Sequence, residues 1–256
     1  MTNDMSLENR TIVVTGGAQG IGQAVARKAL SLGANVAVID MRREPIDELA
    51  QQHPDRLLVQ TGSVSDEAFV QQAMQATVDR FGAIDGLVNN AGITRPAMLM
   101  KMDRQQWDDV IDVNLTGCFV CLQAAATHMV QRFKENGIGG AIVNISSDAG
   151  RKGTLGQVNY GAAKSGVLGL TMSAARELAR YQVRVNSILF GVVATEMTTT
   201  LRTEERFRER YLEEIPLGHF LEPDVAARSI AFLLSDASAY ITGQHLSVNG
   251  GWVIGV

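Results

Sequence analysis

The feature that most constrains this chain is an alternation. Short, near-continuous apolar runs are separated by longer amphipathic segments from one end to the other. Residues 11–15, 35–39, 57–60, 86–89, 141–146, 184–189 and 245–248 read as strands. Helices are expected to begin near Gly20, Pro45, Asp66, Asp103, Asn159 and Pro223, with a shorter one near Thr203. Strands alternating with helices imply a parallel sheet, because each strand must be reached by a crossover. A run as apolar as 141–145 fits a strand covered on both faces. Right-handed crossovers then give an α/β fold: a single-domain, Rossmann-like, doubly wound parallel sheet of about seven strands with helices on both faces. Residues 1–256 read as that one domain. Two regions break the rhythm. One is the glycine-rich turn 137–140. The other is the segment at about 192–221, whose charged stretch EERFRERYLEE suits an active-site lid at the strand ends.

Composition removes several function classes. The 23 Lys and Arg against 27 Asp and Glu leave a net charge of −4. No basic field exists to draw in nucleic acid or an anionic membrane. No run of about 20 apolar residues suggests a membrane span, and the first ten residues lack an apolar signal core. Low cysteine use fits the reducing cytoplasm. Cys118 and Cys121 have CxxC spacing but lie in the apolar run GCFVCL, with no second Cys or His pair to complete a zinc site. They are read as small hydrophobes, and no metal is expected. His53, His128, His219 and His245 show no pairing and are read as structural, with His219 in the lid the chief exception.

The first strand leads into Thr15-Gly16-Gly17-Ala18-Gln19-Gly20-Ile21-Gly22 and then a helix. Glycines there allow a tight turn and a close approach to a pyrophosphate, and the helix N-terminus supplies free N–H groups. The second strand ends at Asp40, about 20 residues on. A carboxylate there accepts hydrogen bonds from ribose hydroxyls and repels a 2′-phosphate, so NAD is expected rather than NADP. Gln19 is neutral and offers a phosphate no grip; Arg42 and Arg43 are the counter-evidence.

Tyr160 and Lys164 are four apart on a helix, hence on one face, and Ser147 closes a strand. Here the sequence resembles the short-chain dehydrogenase/reductase family almost throughout its length. The matching motifs are TGGAQGIG, Asn89-Asn90-Ala91-Gly92, Asn114 within VNLTG, Ser147, Tyr160-x-x-x-Lys164, Arg184-Val185-Asn186, Tyr240-Ile241-Thr242-Gly243 and Asn249-Gly250-Gly251. The resemblance implies an NAD(H)-dependent oxidoreductase interconverting a secondary alcohol and a ketone. Tyr160 would be the general acid or base, with its pKa lowered by Lys164. Lys164 would also hold the nicotinamide ribose. Ser147 would steady the substrate oxygen, and Asn114 would hold a water on Lys164. Gly16, Gln19, Gly20, Ile21, Gly22, Asp40, Ser63, Val64, Asn90, Ala91, Gly92, Val193 and Thr195 would bind the cofactor along with Tyr160 and Lys164.

Two departures stand out. Phe190-Gly191 replaces the family's usual Pro-Gly, and Ser63 stands where an aspartate often binds adenine. The substrate expected is a small apolar, aryl or alicyclic alcohol or ketone, from apolar candidates such as Ile93, Pro96, Met98, Leu99, Leu155, Val158, Phe190 and Met197. The alternatives are a 3-oxoacyl-(acyl-carrier-protein) reductase and a polyol or dihydrodiol dehydrogenase. The first commonly prefers NADP and carries basic residues for an acidic carrier; here Tyr181 and Arg180 occupy that region. A non-catalytic binding protein is disfavoured by the intact Asn114–Ser147–Tyr160–Lys164 set. The resemblance also implies a homotetramer, built on helices at about 103–133 and 159–181, with an apolar tail at 252–256.

Overall fold

The computed structural model describes residues 3–255. Its centre is a seven-stranded sheet, wholly parallel: β1 (Thr11–Thr15), β2 (Asn35–Asp40), β3 (Leu57–Thr61), β4 (Gly86–Asn89), β5 (Gly140–Ser147), β6 (Val183–Phe190) and β7 (His245–Val248). The spatial order is β3-β2-β1-β4-β5-β6-β7, so the winding reverses between β1 and β4. The helices are α1 (Gly20–Ser31), α2 (Asp47–Gln52), α3 (Glu67–Phe81), α4 (Arg104–Ile111), α5 (Gly117–Asn136), α6 (Ala149–Lys152), α7 (Val158–Leu178), α8 (Thr199–Thr203), α9 (Glu205–Glu214) and α10 (Pro223–Leu234). The expected class is the observed one.

The apolar strands carry two cores because successive side chains point to opposite faces. Ile12 and Val14 of β1 join Val36, Val38, Val88, Val143 and Ile188 beneath α1, α2 and α10. Val13, between them, joins Ala37, Leu87, Ile142 and Val185 beneath α3, α5 and α7. Each such side chain, fully buried, contributes roughly 1.5–3 kcal/mol.

Boundaries differ from the sequence reading where local chemistry decides them. β2 runs on to Asp40, so the carboxylate sits on the strand end itself. The helix expected at Pro45 opens as a 3₁₀ turn, Glu44–Ile46, before α2. Asp66 and Asp103 are N-caps of α3 and α4, their carboxylates accepting from Phe69 N and Gln106 N. The short α6 was not foreseen. The helical stretch Arg104–Asn136 is long and apolar enough to cross a membrane by length and composition only. In the fold, 56% of its most apolar window is buried, α5 giving its inner face to the second core.

Segment 192–221 leaves and rejoins the body at one point. Val193 pairs with Leu221 in a parallel bridge. Leu221 N donates to Val192 O at 3.0 Å and Ala194 N to Leu221 O at 2.8 Å. Between these ends lie α8 and α9, neither of which has a buried residue.

The turn 137–140 sets where β5 begins. Gly137 ends α5 at φ 76°, the left-handed cap glycine favours. Gly139 is needed for a different reason: a Cβ there would lie 1.9 Å from the carbonyl oxygen of Gln182, ahead of β6. Gly139→Ala should therefore push apart the two strands that end in Ser147 and Phe190. Thermal unfolding should show a loss of about 1–3 kcal/mol, equivalent to a Tm drop of several degrees, whereas Gly82→Ala, with no neighbour within 4 Å, should show only the smaller cost of its left-handed φ.

Candidate active site

The strands deliver their C-terminal ends to one edge of the sheet. At the β1/β4 reversal the loops part to form a crevice, the usual ligand position in such folds. A cavity of about 390 Å³ runs along it from Asp40, Met41 and Arg42 to Ser147, Tyr160, Lys164 and Phe190.

The glycine-rich turn forms the first wall. Gly16 and Gly20 have φ of 62° and 55°. A Cβ on Gly22 would lie 2.1 Å from Gly16 O, so Gly22 permits the turn to fold and does not line the cavity. The turn is clasped from β4. Asn90 Nδ2 donates to Thr15 O (3.1 Å) and Gly16 O (2.9 Å), while Thr15 Oγ1 accepts from the backbone N–H groups of Asn90 and Ala91, both at 3.1 Å. Asp40 braces the other side: Oδ2 accepts from Ala18 N and Oδ1 from Arg42 N, each at 3.0 Å. The Arg42 side chain turns to Gln19, to which it hydrogen-bonds, and to Glu196 at 3.6 Å. Ser63, the residue in place of the common aspartate, shares its hydroxyl with Ser65 at 2.8 Å.

Ser147, at the end of β5, faces Tyr160 and Lys164 on α7. The Ser147 hydroxyl accepts from Ala149 N at 3.2 Å and lines the same cavity as the Tyr160 phenol. Asn159 fixes the start of α7: its buried amide donates to Arg95 O (3.0 Å) and Gln106 O (2.8 Å), and its oxygen accepts from Tyr160 N (2.8 Å). Sequence reading placed Asn159 only as a helix start; a polar residue before the tyrosine was its one visible signal. Lys164 Nζ donates to Ile145 O at 2.8 Å and lies 5.6 Å from the Tyr160 ring centroid. Asn114 sits in a π-helical turn, Asp112–Thr116, a distortion frequent at functional sites. Its amide oxygen accepts from Ile93 N (2.9 Å) and its nitrogen donates to Ile93 O (2.8 Å). Asn114 therefore stands behind the cavity wall, beside Gly92. A Cβ at Gly92 would meet Asn114 Oδ1 at 2.5 Å and Lys164 Nζ at 3.7 Å.

Val64, Val193 and Thr195 also line the cavity, together with Gln19, Ile21, Ala91 and Gly92. Thr195 sits across from the turn; a Cβ on Gly20 would reach its methyl at 3.2 Å. Phe190 is buried in the first core, where sheet pairing to Ser147 and Val248 does the fixing that proline does elsewhere. Sequence reading passed over Met41, Gly62, Val113 and Ile145 as lining residues; nothing in their types marks them. Outside the crevice, burial pushes the Cys118 thiol up to about 12, so it is no nucleophile at neutral pH. His53 meets Arg56, and His245 meets the Ser187 hydroxyl.

The electrostatics differ from the sequence expectation in one respect. Burial raises the Tyr160 phenol above its ordinary value, with the Ser147 hydrogen bond opposing; it is not lowered by Lys164. Lys164 is buried as well, and burial lowers its ammonium to about 8.

The comparisons with known proteins agree with this geometry. Residues 16–253 match a family model described as enoyl-(acyl carrier protein) reductase. This chain belongs to the short-chain dehydrogenase/reductase family. It is an oxidoreductase of that type. It is 40% identical to a 3-oxoacyl-[acyl-carrier-protein] reductase of Thermotoga maritima over 98% of this chain and all of that one. It is 42% identical to that of Staphylococcus aureus, over 94% and 97% of the two chains. A solved structure from Sinorhizobium meliloti, assigned as a short-chain alcohol dehydrogenase, superposes with a TM-score of 0.91 at 36% identity, covering 98% of each chain.

A dinucleotide fits the residues present, since the turn's glycines make a cradle that side chains would fill and the cavity is continuous from Asp40 to Lys164. A nicotinamide cofactor held there would supply or accept a hydride. Tyr160 and Ser147 both line the cavity, where a phenol could donate a proton to a substrate oxygen and a hydroxyl could hydrogen-bond it. Tyr160→Phe should lower turnover by about a hundredfold to ten-thousandfold without weakening NADH binding measured by fluorescence. With Tyr160 as the proton donor, reduction would need it protonated and Lys164 charged. Raised by burial, the phenol keeps its proton across the neutral range, so kcat/KM for reduction should fall as pH rises through about 8, where Lys164 discharges in the free enzyme.

Proposed function

We propose that this chain is an NADH-dependent reductase of 3-oxoacyl thioesters, converting the 3-keto group to a secondary alcohol with Tyr160 as the proton donor. The observation that carries the reading is identity of about 40% over nearly the whole chain with 3-oxoacyl-[acyl-carrier-protein] reductases. The protonated Tyr160 supports the direction of reduction. The crevice supports the substrate class. Ile93, Phe190, Val193 and Met197 line it, and Met98, Leu99 and Leu155 are exposed nearby, where an acyl chain finds an apolar path. Loops 93–98 and 153–157 are joined there by a hydrogen bond from Ala97 N to Gly156 O at 2.9 Å. Arg180, exposed and stacked 4.8 Å over the Tyr181 ring, offers a fixed positive charge to an acidic carrier.

Asp40 sets the cofactor preference in this reading. Its carboxylate repels a 2′-phosphate, and Arg42, the cation that would offset it, is held by Gln19 and Glu196. In our reading Gly16, Gln19, Gly20 and Ile21 meet the pyrophosphate, Ser63, Val64, Asn90, Ala91 and Gly92 the adenosine side, and Val193 and Thr195 the nicotinamide amide. Segment 192–221 is the substrate lid of the single domain. The exposed Phe119 of α5 lines a groove between α5 and α7, which suits a homotetramer, and a cytoplasmic location suits the reaction.

A second reading, a small aryl or alicyclic ketone as substrate, is favoured by the same apolar lining. Two measurements separate these. A comparison of kcat/KM should favour a 3-oxoacyl thioester over an aryl ketone by more than about a hundredfold, some 2.7 kcal/mol of transition-state binding; the reverse order establishes the second reading. Asp40→Ala should raise relative use of NADPH by about tenfold or more, since one repulsive charge near the ribose is worth on the order of 1–2 kcal/mol. An unaltered protein that already prefers NADPH contradicts the role given to Asp40.

A further inference from the structure

We propose that Trp252 is a positioning residue for the reaction, fixing lid helix α9 to the loop that follows Ser147. The inference rests on the reading of segment 192–221 as the lid. It begins from a deficit: α9 has no fully buried residue, and its apolar side is only Phe207, Tyr211 and Leu212, each half-buried, so its own anchorage is slight. An exposed helix of ten residues is not stable alone. Something outside it must hold it in place.

The C-terminal turn after β7 does so. Trp252 Nε1 donates to Glu214 Oε2 at 2.9 Å, and the Tyr211 ring meets the indole edge-on, with centroids 5.4 Å apart. Both partners belong to α9. From the opposite side, Lys152 of α6 places its Nζ 3.2 Å from the centroid of a Trp252 ring. An ammonium at this distance over an indole is attracted by the ring's negative face. Arg210 holds Glu214 in turn, at 2.9 Å. Just past the end of α9, Ile215 and Pro216 lie against Gly250 and Gly251, where added Cβ atoms would meet them at 2.8 and 3.0 Å.

The turn is also tied to the reacting centre. Trp252 N donates to Asn249 O at 3.2 Å, and Asn249 Nδ2 donates to Asp148 Oδ2 at 2.8 Å. Asp148 is fully buried and follows Ser147 directly. On the nicotinamide side, a Cβ on Gly191 would lie 3.4 Å from Trp252 Cε3. One indole thus touches the lid, the loop after Ser147 and the chain after β6. Simple tail packing does not explain this arrangement. The tail's aliphatic Ile254 is 85% exposed, while the indole N–H is aimed at a lid carboxylate.

The test uses a readout that needs no substrate. Arg206, Arg208 and Arg210 on α9 are exposed tryptic sites. In the free protein, Trp252→Ala should speed cleavage there by about tenfold, because local opening governs such cuts. Trp252→Phe, which keeps the ring but loses the donor, should give a smaller increase and guards against a misfolded alanine variant. Glu214→Ala should do no further harm in the Trp252→Phe background, as expected for two halves of one bond. NADH affinity should stay within about twofold, while KM for the 3-oxoacyl thioester rises several-fold more than kcat falls. Wild-type cleavage rates in both Trp252 variants overturn the proposal. Additive effects of Trp252→Phe and Glu214→Ala, or a loss of NADH affinity as large as the gain in cleavage, overturn it as well. If the substrate reading is wrong, the KM arm fails alone and the proteolysis arm still decides the role of Trp252.

Discussion

The clasp between β1 and β4 is the interaction on which the site depends. A parallel sheet that reverses its winding leaves two neighbouring loops diverging, with backbone groups on both sides unpaired. Here Thr15 and Asn90 meet those needs reciprocally, through one hydroxyl and one carboxamide. The glycine turn is thereby held at a fixed height above the sheet. Asp40 braces the same turn through Ala18 N. Without these bonds the turn would have its required dihedral angles but no defined place.

The second half of the crevice is held by different means. Ser147 and Phe190 pair in register at the ends of β5 and β6, and α7 lies across them. The polar groups there are buried with their partners: Ser146 donates to Lys164 O at 2.8 Å, Lys164 Nζ to Ile145 O, and Asn159 supports Tyr160. Such networks fix side chains when every member is satisfied. They also explain the titration behaviour. Burial weakens the hold of Lys164 on its own proton and strengthens that of Tyr160 on its proton.

Periodicity made the sheet legible, since seven apolar runs of strand length leave little freedom in an α/β chain. The glycine turn, Asp40 and the Ser147–Tyr160–Lys164 group were legible because their spacing is local. Gly22 and Asn114 were legible as motif residues but not in their placement behind the wall, which depends on which backbone each approaches. The sign of the Tyr160 shift was not legible, because spacing reveals that a lysine is near and not that it is buried. Asp148, Asn249 and Trp252 are distant in sequence and come together only through the β5–β6–β7 pairing. The two helices of segment 192–221, α8 and α9, were blurred into one because largely charged segments without a fully buried residue carry little apolar period to mark their ends.

The paired ends of segment 192–221 have an evolutionary consequence. Because Val192, Ala194 and Leu221 close its base, the sheet's pairing does not depend on what lies between them, apart from the contacts of residues 214–217 with the turn after β7. Lengthening such an excursion costs little, only about 0.6 kcal/mol for each doubling of a flexible loop. Insertions, deletions and wholesale exchange of this stretch can therefore occur without rewriting the core. The segment behaves as an interchangeable cassette, through which a single dinucleotide scaffold can diversify toward new substrates while its proton-transfer chemistry stays constant.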